Sequence, residues 1–406
     1  MPGKDSEIMA VVKPFICIRP NQEVASQVAA LPYDVYNRKE AKEAVAGKPL
    51  SFLNIDRPET QYGEDFDMYS DKAYETARDM LQAEIQDGTF IRDENKSYFL
   101  YELTMDGRVQ TGIVACCSIE DYKNNIVKKH ENTRAEKEKD RIRHIETVGA
   151  QTGPIFIAYR FNQELADIIA EVKKEECLYD FTGEDKVRHH VWKIDPSYND
   201  RIEGIFAGID SVYIADGHHR AASACKVGGT DCFLAVLFAD SDLKIMAYNR
   251  AVKDLNGLSE EEFMAKLGEI YDIAPADAAV TPGKKGEAGF YLPGRWFTLT
   301  LKPEYASADP VKGLDVSLLQ DYILDAVLDI KDPRTSDRIS FIGGIRGNAE
   351  LEKLVDKEGY AAAFSMYPTA MSELLSVADA GLLMPPKSTW FEPKLRSGIF
   401  IHSLKD

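Results

Sequence analysis

The spacing of hydrophobic positions changes repeatedly along the chain, between a period typical of helices and one typical of strands. Residues 68–87 carry apolar side chains at helical spacing, and 187–194 alternate as a strand does. The continuous apolar run over 232–239 predicts a strand covered on both faces. Asp106-Gly107, which separates two apolar runs, predicts a β-hairpin. Because strands and helices alternate throughout, the pattern favours an α/β fold with mixed sheets.

Two further features of the pattern concern the organisation of the chain. The short apolar run over 51–55 predicts a strand that ends at Asp56-Arg57-Pro58. Composition changes after about residue 255. We therefore predict two domains, 1–255 and 256–406, of which the second is an α/β domain ending in a docked basic tail. Further helices are predicted over 128–149, 199–209 and 315–330.

The charge balance narrows the range of partners. Lysine and arginine total 49 against 67 aspartate and glutamate residues among 406, which gives a formal charge of −18. Such a chain repels nucleic acids and anionic membranes, so we expect neither as a partner. No apolar stretch approaches the roughly 20 residues that span a bilayer, and the N-terminus lacks the pattern of a signal peptide. We expect a cytoplasmic protein, and a homodimer is compatible with the sequence.

The cysteines do not indicate a metal centre. They are scattered at positions 17, 116, 117, 177, 225 and 232, without a CxxC pair. Cys116-Cys117 lies in an apolar run and is interpreted as a pair of buried thiols rather than zinc ligands. Mg²⁺ held by Asp216 or Glu131 together with ligand phosphates is the metal that the sequence favours, because Mg²⁺ needs few protein ligands.

One polar stretch stands between an apolar run and a run of small residues: Asp216-Gly217-His218-His219-Arg220. This order predicts a strand, a tight turn and a helix start, where unpaired backbone N–H groups favour anions. Gly217 lets a ligand approach the backbone, and Arg220 can grip a phosphate or carboxylate with two hydrogen bonds. The alternative is an Asp216 N-cap followed by two surface histidines.

Two other stretches place polar residues beside predicted turns or helix starts. Arg19-Pro20 and Pro32-Tyr33-Asp34 are either turn chemistry or a ligand site at strand ends. In His130-Glu131-Asn132-Thr133-Arg134, the HExxH pattern is absent because Arg134 stands four residues after His130. Thr133 can cap the helix while His130 and Glu131 face a ligand or Mg²⁺, and the alternative is a solvated charged face.

A basic, proline-rich segment lies near the C-terminus. Lys387, Lys394 and Arg396 against Glu392 leave a local charge of +2. A stiff basic segment can bind an anion, and it can equally be an arm docked by its aromatic residues. The two interpretations are compatible.

Five motifs together resemble the family known as domain of unknown function 1015: KPF…IRP, LPYDV, HENT…DR, ADGHHR and MPPKSTWFEPKLRSG. The strand, the DGHHR turn and the alanine-rich helix also resemble the ParB/sulfiredoxin-like superfamily, and within it the free-serine kinases. The resemblance implies an elaborated ParB-like core in the N-terminal region. It also implies that the turn binds nucleotide phosphates.

The resemblance further implies roles for individual residues. Gly217, His218, His219 and Arg220 would contact phosphates, and Asp216 would stand at the reacting centre. An acidic general base is expected from the N-terminal region, where Glu23, Asp34 and Glu40 compete and we favour Asp34. The expected site comprises catalytic Asp34, Asp216 and His218, and nucleotide-binding Arg19, His130, Glu131, Thr133, Gly217, His219, Arg220 and Lys387.

These observations predict a phosphotransferase that uses ATP or ADP with Mg²⁺ and acts on a small hydroxylated metabolite such as serine. A nucleotide-binding regulatory switch and a phosphate-ester hydrolase are the alternatives. DNA partition is excluded by the charge and by the lack of a helix-turn-helix signal.

Overall fold

The computed structural model describes residues 9–133 and 135–406. These residues divide into two compact units. The first contains the chain up to Lys129, Thr133–Leu243 and Pro393–Asp406, and the second contains His130–Asn132 and Lys244–Glu392. The C-terminal residues therefore belong to the first unit. The two units are defined by contacts between residues. Whether 1–255 and 256–406 fold as independent domains is not tested by these contacts, so that division stays a prediction.

The strands, in chain order, are β1 (Val12–Lys13), β2 (Cys17–Pro20), β3 (Phe90–Arg92), β4 (Phe99–Met105), β5 (Arg108–Ser118), β6 (Val127–Lys128), β7 (Ala150–Gln151), β8 (Ile155–Tyr159), β9 (Tyr179–Thr182), β10 (Arg188–Lys193), β11 (Val212–Asp216), β12 (Cys232–Ala239), β13 (Ile245–Met246), β14 (Tyr248–Val252), β15 (Tyr271–Ala276), β16 (Glu287–Leu292), β17 (Arg295–Leu301), β18 (Ile339–Gly343), β19 (Ala362–Met366), β20 (Trp390–Phe391) and β21 (Ile401–Ser403). The α-helices are α1 (Ala25–Val28), α2 (Arg38–Val45), α3 (Leu53–Asp56), α4 (Asp71–Gln86), α5 (Ile119–Lys123), α6 (Ala135–Val148), α7 (Gln163–Val172), α8 (Asn199–Phe206), α9 (His218–Ala224), α10 (Glu260–Ile270), α11 (Asp315–Leu319), α12 (Gly347–Glu358) and α13 (Met371–Asp379).

A large mixed sheet forms the centre of the first unit. Across the described residues its strands run in the order β6-β11-β8-β12-β5-β4-β10-β9, with β1 paired to β5. The pairs β6–β11 and β8–β12 are parallel, and the other pairs are antiparallel. Buried side chains of α7 and α8, among them Ile168 and Phe206, pack with those of the sheet. The strand predicted over 232–239 is confirmed as β12, which is buried along almost its whole length.

The hairpin between β4 and β5 has the turn that the sequence predicts. Asp106 and Gly107 both have positive φ, 51° and 77°. A two-residue turn with positive φ at both positions matches the twist of the flanking strands, and these are residue types that tolerate it. This local signal therefore fixes the register of the pair, in which Met105 faces Arg108.

A smaller antiparallel sheet in the first unit brings distant parts of the chain together. Its order is β3-β2-β21-β7, so the C-terminal strand lies between β2 and β7. A second hydrophobic cluster contains Val28, Phe52, Leu81, Phe90 and Ile401, from this sheet and from helices α1, α3 and α4. This packing anchors the C-terminal segment.

The second unit is built on an antiparallel sheet of the order β15-β17-β16-β19-β14-β18. Leu351 and Val355 of α12 pack against Trp296 and Ala363 of this sheet. Strands β13 and β20 form a separate antiparallel pair. The expected α/β fold with mixed sheets is confirmed.

One expectation about an individual element is wrong. Residues 51–55 do not form a strand, because Leu53–Asp56 is the helical turn α3. A short apolar run is ambiguous between a strand and a buried helical turn, and the packing of Phe52 and Ile55 in the second cluster decides it. The helix predicted over 315–330 is confirmed over its first part, as an α-helix to Leu319 and as a π-helix over Gln320–Asp325. Within the described part of the chain, no helix has the length and apolar character that a bilayer requires.

Candidate functional site

The turn at Asp216–Arg220 has the predicted strand-turn-helix form. Strand β11 ends at Asp216, Gly217 adopts the left-handed conformation with φ 91°, and α9 begins at His218. A Cβ atom at Gly217 would stand 3.1 Å from the Arg220 guanidinium carbon. Gly217 therefore allows both the left-handed turn and the return of the Arg220 side chain over it. Gly217 occupies the N-cap position and His218 is 5% exposed, so the alternative of an Asp216 cap with two surface histidines does not describe this turn.

Asp216 lies between two cations. Its Oδ1 accepts from the Gly217 N–H at 2.9 Å, and its Oδ2 lies 3.2 Å from Lys394 Nζ and 3.8 Å from Arg220 Nη2. Burial alone would raise the pKa of this carboxyl, but Lys394 and Arg220 hold it well below its usual value. Asp216 is therefore an anion whose charge is already balanced by the protein.

The hydrogen-bond donors of the Arg220 guanidinium group are only partly paired with acceptors of the protein. Its Nη1 donates to the Pro154 carbonyl at 2.6 Å, and its side chain is 12% exposed. Its Nε is buried and has no hydrogen-bond partner among the described residues. Since an unpaired buried donor costs roughly 1–3 kcal/mol, this atom is suited to a ligand acceptor.

A second buried arginine, Arg141, faces the same space. Its guanidinium carbon lies 3.9 Å from the centre of the Tyr33 ring, and its Nε donates to Asp140 at 2.8 Å. Tyr74 donates to the other oxygen of Asp140 at 2.8 Å. Burial opposes the charge of Arg141, but Tyr33, Asp140 and Asp56 hold its pKa above the usual value. This guanidinium is a fixed positive charge.

These groups line a narrow pocket that we call the arginine pocket. It measures about 30 Å³, room for about two water molecules. Its wall includes Pro32, Tyr33, Asp56, Arg141, His144, Gln151, Thr152, Arg220 and Ser397. The LPYDV, DR, DGHHR and FEPKLRSG stretches thus meet here, which no spacing in the sequence shows.

Asp56 and His144 are pocket residues that the sequence analysis did not select. Asp56 is 2% exposed and accepts from Thr152 Oγ1 at 3.0 Å. His144 Nε2 lies 3.2 Å from the Ile55 carbonyl, and burial together with Arg141 lowers the pKa of His144 to about 4. The pocket therefore holds a neutral imidazole at pH 7, beside one carboxylate and two guanidinium groups. The sequence predicts Asp56 only as the end of a strand, and no motif marks it as a site residue.

The turn that carries Tyr33 and Asp34 is held by a buried ion pair. Arg57 donates to the carbonyls of Tyr33 and Tyr36 at 3.0 and 2.8 Å, and it pairs with Glu59. Burial raises the pKa of Tyr33 well above its usual value, against the opposing effect of Arg141. Tyr33 is therefore a neutral hydroxyl, positioned from behind by Arg57.

The three acidic residues that compete for the role of base differ in their surroundings. Asp34 is exposed in the 3₁₀ turn Tyr33–Val35, directly beside the arginine pocket. Glu40 Oε2 accepts from the Asn37 N–H at 2.8 Å as part of the capping box of α2. Glu23 is exposed in the turn before α1. The capping role accounts for Glu40, and Asp34 stays the predicted base.

Arg19 has protein partners away from the pocket. Its Nε donates to Asp93 at 3.0 Å, its Nη1 lies 3.4 Å from Tyr179 Oη, and Lys193 also pairs with Asp93 at 3.2 Å. Arg19 is not among the residues that line the arginine pocket. These contacts account for Arg19 as a support of the small sheet, and its nucleotide role stays a prediction.

The HENT motif is divided between the two units. His130 and Glu131 belong to the second unit, where the His130 carbonyl accepts from Met384 N–H at 2.8 Å and its Nε2 lies 3.4 Å from Thr389 Oγ1. Lys387 belongs to the same unit, with its Nζ 5.6 Å from the centre of the Tyr248 ring. The HENT and MPPKST motifs therefore meet in the second unit.

Thr133 belongs to the first unit. It donates to Glu138 of α6, which also pairs with Lys226. Arg134 lies outside the described residues. The phosphate-binding role of Thr133, like those of His130, Glu131, His219 and Lys387, stays a prediction.

The C-terminal segment Pro393–Asp406 belongs to the first unit, and its backbone passes close to Phe52 at Gly398. This residue has φ 82°, and a Cβ atom there would stand 2.5 Å from Phe52 Cγ. Arg396 pairs with Asp185 and lies 3.3 Å from His189 Nε2, while Lys394 pairs with Asp216. These contacts are polar and involve residues after Pro393, so the predicted docking by Trp390 and Phe391 stays a prediction.

The surroundings of Asp216 do not suit a magnesium ion, because its carboxylate oxygens already contact an N–H group and two cations. Gly217 N–H, Lys394 and Arg220 occupy its two oxygens, so a divalent cation would have to displace Lys394. Among the described residues, neither Asp216 nor Glu131 belongs to a cluster of three potential metal ligands. Asp216 is therefore not available to a magnesium ion while Lys394 is bound to it.

Several solved structures are distantly similar to the chain. A free serine kinase variant in complex with AMP has 17% identity and a TM-score of 0.37, over 69% of this chain and 87% of the kinase. A conserved hypothetical protein from Pyrococcus furiosus has 17% identity and a TM-score of 0.37, over 73% and 96%. SbnI with a C-terminal truncation, from Staphylococcus aureus, has 10% identity and a TM-score of 0.40, over 70% and 85%. Similarity of this degree assigns no activity to the chain.

No curated protein sequence matches the chain at a significant level. The family model described as protein of unknown function DUF1015 matches residues 12–317. That range contains every residue of the arginine pocket except Ser397. It also contains the DGHHR turn and the LPYDV motif. The chain belongs to the DUF1015 family.

Proposed function

We propose that the protein is a nucleotide-dependent phosphotransferase that acts on a small hydroxylated metabolite. The nucleotide is ATP or ADP, and its phosphates bind at the turn Gly217–Arg220 and the arginine pocket. The acceptor belongs to the class of small alcohols that includes free serine. Free serine kinase variants in complex with AMP and with ADP are among the structures distantly similar to the chain.

The observation that carries this proposal is the meeting of Arg141 and Arg220 in one pocket. Both side chains are largely buried, and Arg220 Nε has no acceptor among the described residues. Two desolvated guanidinium groups attract an anion strongly, because charge-assisted hydrogen bonds strengthen when water is excluded. Arg141 and Arg220 against Asp56 leave the lining of the pocket with a charge of +1. In a chain with a formal charge of −18, this local positive charge favours a small anion rather than a polymer.

The residues of the pocket suit phosphoryl transfer. Such a transfer needs mainly positioning and charge neutralisation, and little covalent chemistry from the protein. Arg220 and Arg141 would hold the phosphate oxygens, while Lys394 would be shared between Asp216 and the bound anion. The phosphoryl group would move from the nucleotide to the acceptor oxygen, and the acceptor proton would pass to Asp34.

The decisive experiment measures nucleotide binding and acceptor-dependent phosphorylation in the same preparations. Arg220→Ala should weaken ATP and ADP binding by about 100-fold, because it removes a buried charged donor set. Arg188→Ala is the matched control, since Arg188 is an exposed arginine of the same unit that pairs with Asp180. Unchanged binding in Arg220→Ala would refute the proposal.

The same assays distinguish transfer from the two alternatives. Asp34→Asn should spare nucleotide affinity and lower turnover by about 100-fold or more, the usual contribution of a general base. A phosphorylated product that requires the hydroxylated acceptor supports transfer. Nucleotide binding without any acceptor dependence would indicate a regulatory switch, and release of inorganic phosphate from a phosphate ester would indicate a hydrolase.

A further inference from the structure

Three side chains with soft or borderline donor atoms meet in the first unit, outside the arginine pocket. They are Cys116, Cys232 and His402, which we call the cysteine–histidine cluster. Their ligand atoms all lie within 4.8 Å of one another. The three residues come from strands β5, β12 and β21, so more than a hundred positions separate each from the next.

Strand register places the two cysteines on one face. In the antiparallel pair β5–β12, Cys116 is opposite Leu234 and Cys232 is opposite Ser118. Because side chains alternate between faces, residues 116 and 118 share a face, and Cys232 shares it with them. The two thiols are therefore diagonal neighbours, a relation in which side chains still reach each other.

Gln151 brings the histidine to the same place. It is the partner of His402 in the pair β7–β21. Its side chain donates to the Cys232 carbonyl at 3.0 Å and accepts from the Leu234 N–H at 2.7 Å. The small sheet and the large sheet are thus joined at this residue, and His402 is held against Cys232.

The distance between one pair of donor atoms matches tetrahedral coordination of zinc. His402 Nε2 lies 3.6 Å from Cys232 Sγ. Zinc binds sulfur at about 2.3 Å and imidazole nitrogen at about 2.0–2.1 Å, so a tetrahedral angle places two such donors about 3.5 Å apart. This pair of donors therefore needs little adjustment to accept the ion, and the other donor distances in the cluster are at most 4.8 Å.

The buried imidazole lacks a strong partner in the protein. His402 is 3% exposed, its Nδ1 has no hydrogen-bond partner among the described residues, and its Nε2 has the long contact with sulfur. Burying a polar ring without strong partners is costly, so a bond from Nε2 to a metal ion would stabilise it.

A cavity adjoins the cluster. It measures about 340 Å³, and its wall includes Lys13, Cys116, Ser118, Lys123, Asp231 and Cys232. Zinc sites with three protein ligands keep the fourth position for water or for a substrate atom. Both cysteines line the cavity, so the fourth coordination position of a bound ion would face it.

We propose that Cys116, Cys232 and His402 bind one Zn²⁺ ion whose fourth coordination position opens onto this cavity. Two thiolates and one imidazole are a donor set that zinc takes readily, whereas magnesium prefers oxygen. The zinc site does not depend on the proposed phosphotransferase activity. A test that refutes one of the two proposals therefore leaves the other standing.

The test begins with the full chain, purified under reducing conditions. We expect close to one zinc ion per chain by elemental mass spectrometry. After removal of the metal with a chelator, anaerobic titration with Co²⁺ should give a thiolate-to-cobalt charge-transfer band that saturates at one equivalent. Cobalt spectra with no thiolate band, or no binding of Zn²⁺ to the metal-free protein, would overturn the proposal.

Variants locate the ion. Cys232→Ser and His402→Gln should each weaken Zn²⁺ binding by about 100-fold or more, since even outer partners of metal ligands are worth 10–100-fold. Cys177→Ser is the matched control, because Cys177 is a half-buried cysteine outside the cluster. Circular dichroism verifies that each variant is folded. Equal zinc affinity in the control and in a folded Cys232→Ser protein would also exclude the site.

Discussion

The arginine pocket and the cysteine–histidine cluster lie in the same unit but are built from different kinds of structure. The arginine pocket draws Tyr33 and Arg220 from a turn and a helix start, and Asp56 from a single helical turn. The cluster draws its three residues from the interiors or ends of strands. Residues beside turns leave polar motifs in the sequence, whereas a cysteine within a strand looks like any other buried apolar residue.

Functional residues in turns are therefore easier to recognise in a sequence than functional residues within strands. In the arginine pocket, Tyr33, Arg141 and Arg220 belong to polar motifs that are visible in the sequence, even though their partners are not. Asp56 and His144 have no such motif. In the cluster, Cys116 stands among apolar residues of β5, and only strand register and the contact with His402 bring out its role. The two sites share the C-terminal segment, which carries Ser397 of the arginine pocket and His402 of the cluster.

The largest effect should come from disturbing that shared segment. Gly398→Ala forces a Cβ atom into Phe52 at a positive φ, so we expect the free energy of unfolding to fall by about 3–4 kcal/mol. Urea denaturation measures it. Gly47→Ala is the control, because Gly47 has φ 72° and open space around its Cβ position, and only about 1 kcal/mol should be lost there. Equal losses in the two variants would show that the segment is not held by this contact.

The second largest effect concerns the independence of the two sites. Arg220→Ala should lose about 100-fold in nucleotide affinity, equal to about 2.7 kcal/mol, and should keep its full zinc content. Cys232→Ser should show the reverse. Isothermal calorimetry with ADP and elemental analysis of the same preparations measure both quantities. A loss of both ligands in either single variant would mean that the two sites are one coupled site.

A smaller effect concerns the histidine of the arginine pocket. The pKa of His144 is lowered to about 4 in the folded protein, against about 6.5 in the unfolded chain. The unfolded state therefore binds the proton first, and stability present above pH 6.5 is lost as the pH falls towards 4. Between pH 7 and pH 5 this amounts to about 2 kcal/mol in the free energy of unfolding.

Urea denaturation at the two pH values tests this linkage. His144→Asn should remove part of the pH dependence, and His189, whose pKa is lowered to about 3 by burial and by Arg396, should supply a further part. An unchanged slope in His144→Asn would show that His144 is not buried in its neutral form.

Local signals in the sequence predicted much of the fold. The Asp106-Gly107 hairpin, the helix that became α4 and the buried strand β12 follow from residue spacing and turn chemistry. The α/β class follows from their alternation. The run over 51–55 failed because a few apolar residues fit a strand or a helical turn equally well, and the neighbouring packing chose the turn.

The candidate sites were predicted less evenly. The sequence marked Asp216, Gly217 and Arg220, because a glycine in a polar turn between a strand and a helix predicts an anion-binding helix start. It could not show that Lys394 neutralises Asp216, since 178 positions separate them.

By itself, the sequence determined the local conformations, the acidic charge balance and the motifs that place the chain in its family. Those properties depend on residue type and short spacing. Only the tertiary structure decided which motifs meet: Tyr33, Arg141 and Arg220 at one pocket, and His130 with Thr389 in the second unit. It alone brought Cys116, Cys232 and His402 together. Contacts between distant residues follow from strand register and core packing, which the spacing of residues along one chain does not contain.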